Sequence, residues 1–253
     1  MNALASADAW RVAALTMMNA QELEAALSGA DAAVWVKAAA GAGIAAAQVR
    51  LGRMLLEGDG VAKGACAAFD WFAAAAEAGD ADGQNMLGRC YENGWGVASD
   101  MARAAHWFAE AAEAGHGWAQ YNLGHLLLDG TGVAQDRRAA FASYKRAALQ
   151  GHERAMNLVA RCYEEGWGVT RDADAARDWF RKSAEGGYFR GAFNYATLLA
   201  AEGEIENARQ WFERALAGAT PATRANMREM LAKRPEVELR ELCSLSPNGG
   251  EGD

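Results

Sequence analysis

Gly58-Asp-Gly60-Val61 returns as Gly94-Trp-Gly96-Val97, Gly130-Thr-Gly132-Val133 and Gly166-Trp-Gly168-Val169, each copy one 36-residue step after the last. Self-similarity at a period of about 20 to 50 residues settles the architecture before any single helix is assigned. Ten residues past each valine stands an aromatic pair or its replacement: Trp71-Phe72, Trp107-Phe108, Ser143-Tyr144 and Trp179-Phe180. Six residues before each first loop glycine stands Gly52, Gly88, Gly124 or Ala160, preceded by Leu51, Leu87, Leu123 and Val159 and by small Ala47, Gly83, Ala119 and Ala155. Small and apolar residues at those spacings share one face of a helix. Each unit therefore reads as helix A, a short loop, and helix B. A glycine inside a helix costs roughly 1 kcal/mol relative to alanine, so Gly52, Gly88 and Gly124 imply the close approach of a neighbouring helix. Asp100, Asp136 and Asp172 follow the loop valine by three residues, where a carboxylate can cap the free N–H groups of helix B.

The rhythm extends outward with losses. Residues 1–43 read as a degenerate N-terminal repeat, with Ala13-Ala14-Leu15 where helix A falls and Val34-Trp35-Val36 through Gly43 where helix B falls. Residues 44–219 hold five repeats, the last a tighter hairpin that keeps Phe193, Tyr195, Leu198-Leu199 and Trp211-Phe212. Residues 220–235 read as a capping helix opened by Thr220-Pro221, since proline suits the first turn. Residues 236–253 form an acidic tail expected to be largely flexible.

Composition narrows the function. With 253 residues, 51% of them apolar, and only three prolines, the chain has ample material for a core. No stretch approaches the roughly 18 apolar residues of a membrane span, and the opening residues lack the basic, then apolar, order of a secretory signal. A cytoplasmic location is expected. A net charge of -8 disfavours nucleic acid, whose affinity comes from lysine and arginine neutralising phosphates. Cys66, Cys90, Cys162 and Cys243 are widely spaced without a CxxC pair, so reduced thiols are expected.

The stretch from Gly115 through Trp118, Ala119, Leu123 and Gly124 to Gly130-Thr-Gly132-Val133 and Asp136 resembles the Sel-1-like repeat, a relative of the tetratricopeptide repeat. Gly88 to Gly115 and Ala160 to Gly187 are similar and add the Trp-Phe signature of helix B. The resemblance implies an all-α fold, a solenoid of antiparallel helix pairs stacked into a right-handed superhelix, with the A helices lining a concave surface. It also implies that the chain holds protein partners as a scaffold or adaptor. Cysteine-rich secreted members carry a disulfide in each repeat. Here Cys90 and Cys162 instead replace Met54, Leu126 and Leu198, as small core residues would.

In a stacked repeat only one stripe of helix A stays free for a partner. That stripe carries Arg50, Arg53, Arg89, Asn122, His125, Arg161 and Asn194, which are the candidate groove contacts. Its arginines favour an acidic peptide, and the amides of Asn85, Asn122, Asn157 and Asn194 could meet the main chain of an extended segment. Each such residue is also ordinary on a solvated helix face. Trp71, Trp107, Trp179 and Trp211 recur on helix B and read as core. Trp95 and Trp167 occupy the loops where other copies hold Asp59 and Thr131, so with Trp118 they are candidate rim anchors.

Catalytic chemistry needs a convergent set of groups. His106, His116, His125 and His152 form no HxxxH or HExxH pattern, and the GxGV loop lacks the lysine of a phosphate-binding loop. We therefore expect no catalytic residues, no cofactor and no metal. A partner-binding scaffold leads. A dedicated accessory subunit of one enzyme is the alternative, and a hydrolase of cell-wall or β-lactam substrates is less favoured.

Overall fold

The computed structural model describes residues 31–243 in one run, together with residues 11–14, 17, 18, 21, 26 and 29. The readings made for Leu15 and for the end of the tail, residues 244–253, lie outside the described residues. The helices are α1 (Ala32–Gly41), α2 (Ala45–Glu57), α3 (Ala65–Glu77), α4 (Ala81–Asn93), α5 (Met101–Glu113), α6 (Gly117–Asp129), α7 (Arg137–Leu149), α8 (Glu153–Glu165), α9 (Ala173–Glu185), α10 (Phe189–Ala201), α11 (Ile205–Gly218), α12 (Pro221–Ala232) and α13 (Val237–Arg240). A 3-10 turn, Glu241–Cys243, follows. No strand occurs among the described residues. The chain divides into two compact units, Met1–Gln135 and Asp136–Asp253.

In the first unit, α1 to α6 pack each against the next, and α2 also touches α4. The even-numbered helices are the A helices of the sequence. Phe72 and Phe108 are fully buried, and burying a phenylalanine contributes roughly 1.5–3 kcal/mol. Each ring fills the space that a mid-helix glycine leaves open. A Cβ on Gly88 would stand 2.7 Å from the Phe108 ring, and one on Gly52 would stand 2.5 Å from Phe72. The close approach foreseen at these glycines is thus made by the B helix of the same hairpin. The tryptophan of each pair is only partly buried, because Phe72 and Phe108 already occupy the interior position.

The loop explains both of its glycines. Gly94 ends α4 with φ 71° and its N–H reaches the Cys90 carbonyl, while the Trp95 N–H reaches the same carbonyl at 3.0 Å. Gly96 also has positive φ, and any Cβ there would strike the Ala65 carbonyl at the start of α3. The loop of one repeat therefore seats directly on the B helix of the repeat before it. Asp100 then caps α5, accepting from Ala102 N–H at 3.1 Å and Arg103 N–H at 3.0 Å.

The second unit repeats this logic. Helices α7 to α11 pack consecutively, Asp136 and Asp172 cap α7 and α9, and Gly168 seats on Arg137 as Gly96 does on Ala65. Tyr144, Phe180 and Phe212 are its fully buried rings, and Phe193 and Tyr195 are buried beside them. Thr220 accepts from Thr223 N–H to open α12, and Arg224 donates to the Leu216 carbonyl at 2.7 Å and the Ala219 carbonyl at 2.9 Å. That arginine satisfies carbonyls which a helix end otherwise leaves unpaired. Residues 237–243, read from sequence as the start of the tail, form α13 and the 3-10 turn. Leu239 and Leu242 have no exposure and join the core around Phe212 and Leu231, which holds the segment in place.

Candidate functional site

The A helices of the first unit carry five of the predicted groove residues. Arg50 and Arg53 are exposed on α2. Arg53 grips Asp82 in the first turn of α4, with Nη2 at 2.7 and 2.8 Å from the two carboxylate oxygens. His116 joins the same carboxylate through Nε2 at 3.4 Å, while its Nδ1 accepts from Ala119 N–H at 3.1 Å and caps α6. The hydrogen bond from His116 holds the Asp82 carboxyl below its ordinary range, with the charge of Arg53 adding to it and burial opposing it. Arg53 is therefore a tie between successive A helices as well as a surface cation.

Arg89 lies over the Trp95 ring, its guanidinium carbon 4.8 Å from the centroid. Two features that the sequence put in different classes, groove and rim, are one stacked pair. Asn122 Nδ2 donates to Asn85 Oδ1 at 3.2 Å, and Asn85 is buried. The Asn85 amide is thus turned to its neighbour on the next A helix. His125 stands edge-on to Tyr121 at 4.7 Å, and burial lowers its pKa despite the nearby Asp129. Trp118 is 45% exposed and meets Tyr121 edge-on at 5.9 Å.

The second unit holds the same arrangement. Arg161 lies over Trp167 at 4.8 Å, and Asn194 Nδ2 donates to Asn157 Oδ1 at 2.9 Å, with Asn157 buried. Stacking on an indole leaves the in-plane N–H edge of the guanidinium available to a planar acceptor such as carboxylate. Neither Arg89 nor Arg161 has a carboxylate within ion-pair distance among the described residues.

Sequence reasoning missed several participants. His116 and His152 are N-caps, with His152 Nδ1 accepting from Ala155 N–H at 3.2 Å. Their shared register with Asp80, which caps α4, was the available signal. Gln120, buried, donates to the Ala112 carbonyl at 3.1 Å and closes the end of α5. Arg190 of α10 and Asn226 of α12 line one recess with Arg161 and Asn194, and Asn226 lies beyond the repeat pattern. Cys90 and Cys162 are fully buried, and burial pushes each thiol up to about 12. Among the described residues no group of three or more His, Cys, Asp or Glu side chains is placed to hold a metal ion. No described helix is long and apolar enough to cross a membrane.

A family model for the Sel1 repeat matches residues 45–80, 81–116, 119–152, 153–188 and 192–218. Among solved structures, a Sel1 repeat protein from Oxalobacter formigenes is 25% identical over 96% of this chain and 94% of its own, with a TM-score of 0.69. The protective antigen c5321 of uropathogenic Escherichia coli, which displays an SLR fold, is 31% identical over 81% of this chain, with a TM-score of 0.68. This chain spans 44% of that antigen's length. The immunity protein Pa5087 from Pseudomonas aeruginosa is 16% identical over 81% of this chain and 76% of its own, with a TM-score of 0.54, a likeness of fold alone. No curated protein matches the chain.

Proposed function

The chain belongs to the Sel1 repeat family, and from that premise we propose that it is an interaction scaffold whose A-helix faces hold a segment of a partner protein. The observation that carries this reading is the stacked Arg89–Trp95 pair in one unit and the Arg161–Trp167 pair in the other. A guanidinium fixed over an indole has lost much of its rotamer freedom before it binds, so less is lost on binding. An acidic partner segment suits both pairs. Arg50, Asn122, His125 and Asn194 flank them on the same helix faces, Arg53 contributes through its exposed flank, and Trp118 offers apolar area at its edge.

A photo-reactive amino acid at Asn122 or Asn194 is expected to cross-link the partner in cells, and one at Glu110 on the exposed side of α5 is not. Charge reversal of Arg89 and Arg161 together is expected to abolish that cross-link. Stability should fall little, because an exposed cation–π pair contributes about 0.5–1 kcal/mol. Cross-linking that survives the double reversal refutes the proposal.

A further inference from the structure

In the second unit, α8, α10 and α12 enclose an open recess of about 300 Å³. Arg161 enters it from α8, Arg190 and Asn194 from α10, and Asn226 from α12, over an apolar floor of Phe193 and Met227. None of its lining residues is acidic, although the chain as a whole carries a net charge of -8. Arg190 is stacked at 5.8 Å on Phe189, and Arg161 on Trp167. Neither makes an ion pair among the described residues. Glu164, three residues along α8, is a carboxylate on which the charge of Arg161 acts, and it lies beyond ion-pair distance. Met230 is 59% exposed at the edge of the recess, a large apolar side chain without full cover.

We infer that this recess is a subsite for an acidic peptide, in which a carboxylate side chain sits between Arg161 and Arg190 and the apolar side chain beside it rests on Phe193 and Met230. Charge complementarity selects the occupant. Two cations face one small space with no internal anion, and amides of Asn194 and Asn226 stand where they can meet the peptide main chain. The volume lies at the lower end of ligand clefts, about 300 to 1,000 Å³, which suits a few residues of an extended segment. Phosphate-rich polymers are disfavoured by the acidic chain around the recess. Helix α12 begins beyond residue 218, where the last matched repeat ends, so this subsite belongs to the particular chain and not to the repeat. The inference rests on the scaffold reading and gives it a location and a ligand chemistry.

The test uses the full chain and a fluorescent peptide, acetyl-Gly-Leu-Glu-Asp-Gly-amide, with acetyl-Gly-Leu-Gln-Asn-Gly-amide as its neutral counterpart, followed by anisotropy. The acidic peptide should bind at least about tenfold more tightly than the neutral one, since charge-assisted bidentate hydrogen bonds are the stronger class. Arg161→Gln and Arg190→Gln should each weaken it by about tenfold. Arg161→Lys and Arg190→Lys, which keep the charge but lose the fork, should fall between. Met230→Ser should cost a smaller factor, and Arg138→Gln, an exposed arginine on α7 outside the recess, should bind within twofold of the native chain. Circular dichroism shows whether each variant is folded. Equal binding of the two peptides, or retention in Arg161→Gln and Arg190→Gln as full as in Arg138→Gln, overturns the subsite. If the peptide fails to bind while Asn194 still cross-links a partner through the A face, the subsite is wrong and the scaffold stands.

Discussion

The repeat at residues 81–116, in the first unit, and the repeat at 153–188, in the second, are built on one plan and finished differently. Asn85 and Asn157, Arg89 and Arg161, Cys90 and Cys162, and Trp95 and Trp167 each stand 72 residues apart, a second rhythm laid over the 36-residue one. Asn85 and Asn157 each accept from an asparagine of the following A helix, and both guanidinium–indole separations are 4.8 Å. Their ties to neighbouring repeats differ. Where the first has Asp82 held by Arg53 and His116, the second has Arg154 laid over the Tyr188 ring at 5.7 Å. The second also faces the capping helix α12, and a recess opens between them. The contrast teaches that the buried asparagine and cysteine and the stacked arginine–tryptophan pair are duplicated as a set, while the edge between repeats carries an ionic tie in one and a cation–π contact in the other.

The largest effect expected from this comparison is chemical. At pH 8, Cys90 and Cys162, pushed up to about 12, have almost no thiolate. Against an ordinary thiol of about 8.5 they should label roughly a thousandfold more slowly in the folded chain. Exposed Cys66 should react first. Mass-resolved alkylation that finds one of the buried pair fast and the other slow would break the equivalence of the two repeats.

The next effect tests where the plan diverges inside the core. At the position of Gly88 the second repeat has Ala160, fully buried. Gly88→Leu should destabilise by about 1–3 kcal/mol through overpacking against Phe108. Gly88→Ala should also destabilise, although alanine favours helix, whereas Ala160→Gly should cost about 1 kcal/mol from propensity alone. Urea denaturation of the three variants measures this. A stabilised Gly88→Ala would show that the two helix pairs pack alike.

Asp82→Asn probes the ionic tie. The folded carboxyl takes its proton at a lower pH than the unfolded one, so its contribution is complete at neutral pH and is lost as pH falls through and below about 4. Both partners are more than a third exposed, so solvent screening limits the effect to about 1 kcal/mol or less. The variant should be slightly less stable at pH 7 and indistinguishable from the native chain at pH 2.5. Smaller still, Arg154→Ala should cost about 0.5 kcal/mol. A pH dependence in Arg154→Ala equal to that of Asp82→Asn would show that the two edges are the same device.

Much of the fold is legible in the sequence because each repeat solves the same packing problem with the same residues. Phe72, Phe108 and Phe180 return at the same register, and Asp100, Asp136 and Asp172 cap the helices that follow. The candidate site is legible only as a stripe. Asn122 bonds to Asn85 in a different repeat and at a different register, a pairing that a strict 36-residue alignment hides. Asn226 and Met230 come from α12, a helix outside the matched repeats, so no periodicity marks them. The N-cap role of His116 is hidden because histidine resembles the usual capping residues only in its neutral form, with one nitrogen accepting.

The loop glycines have one more consequence. Gly96 meets the backbone of Ala65, Gly132 that of Met101, and Gly168 that of Arg137, three unlike side chains at one kind of joint. The socket is made of main chain, so it does not read the identity of what plugs into it. A gene segment copied or deleted in multiples of this block carries its own fitting at each end. The length of such a chain can therefore change by whole blocks during evolution without any compensating change at the seams.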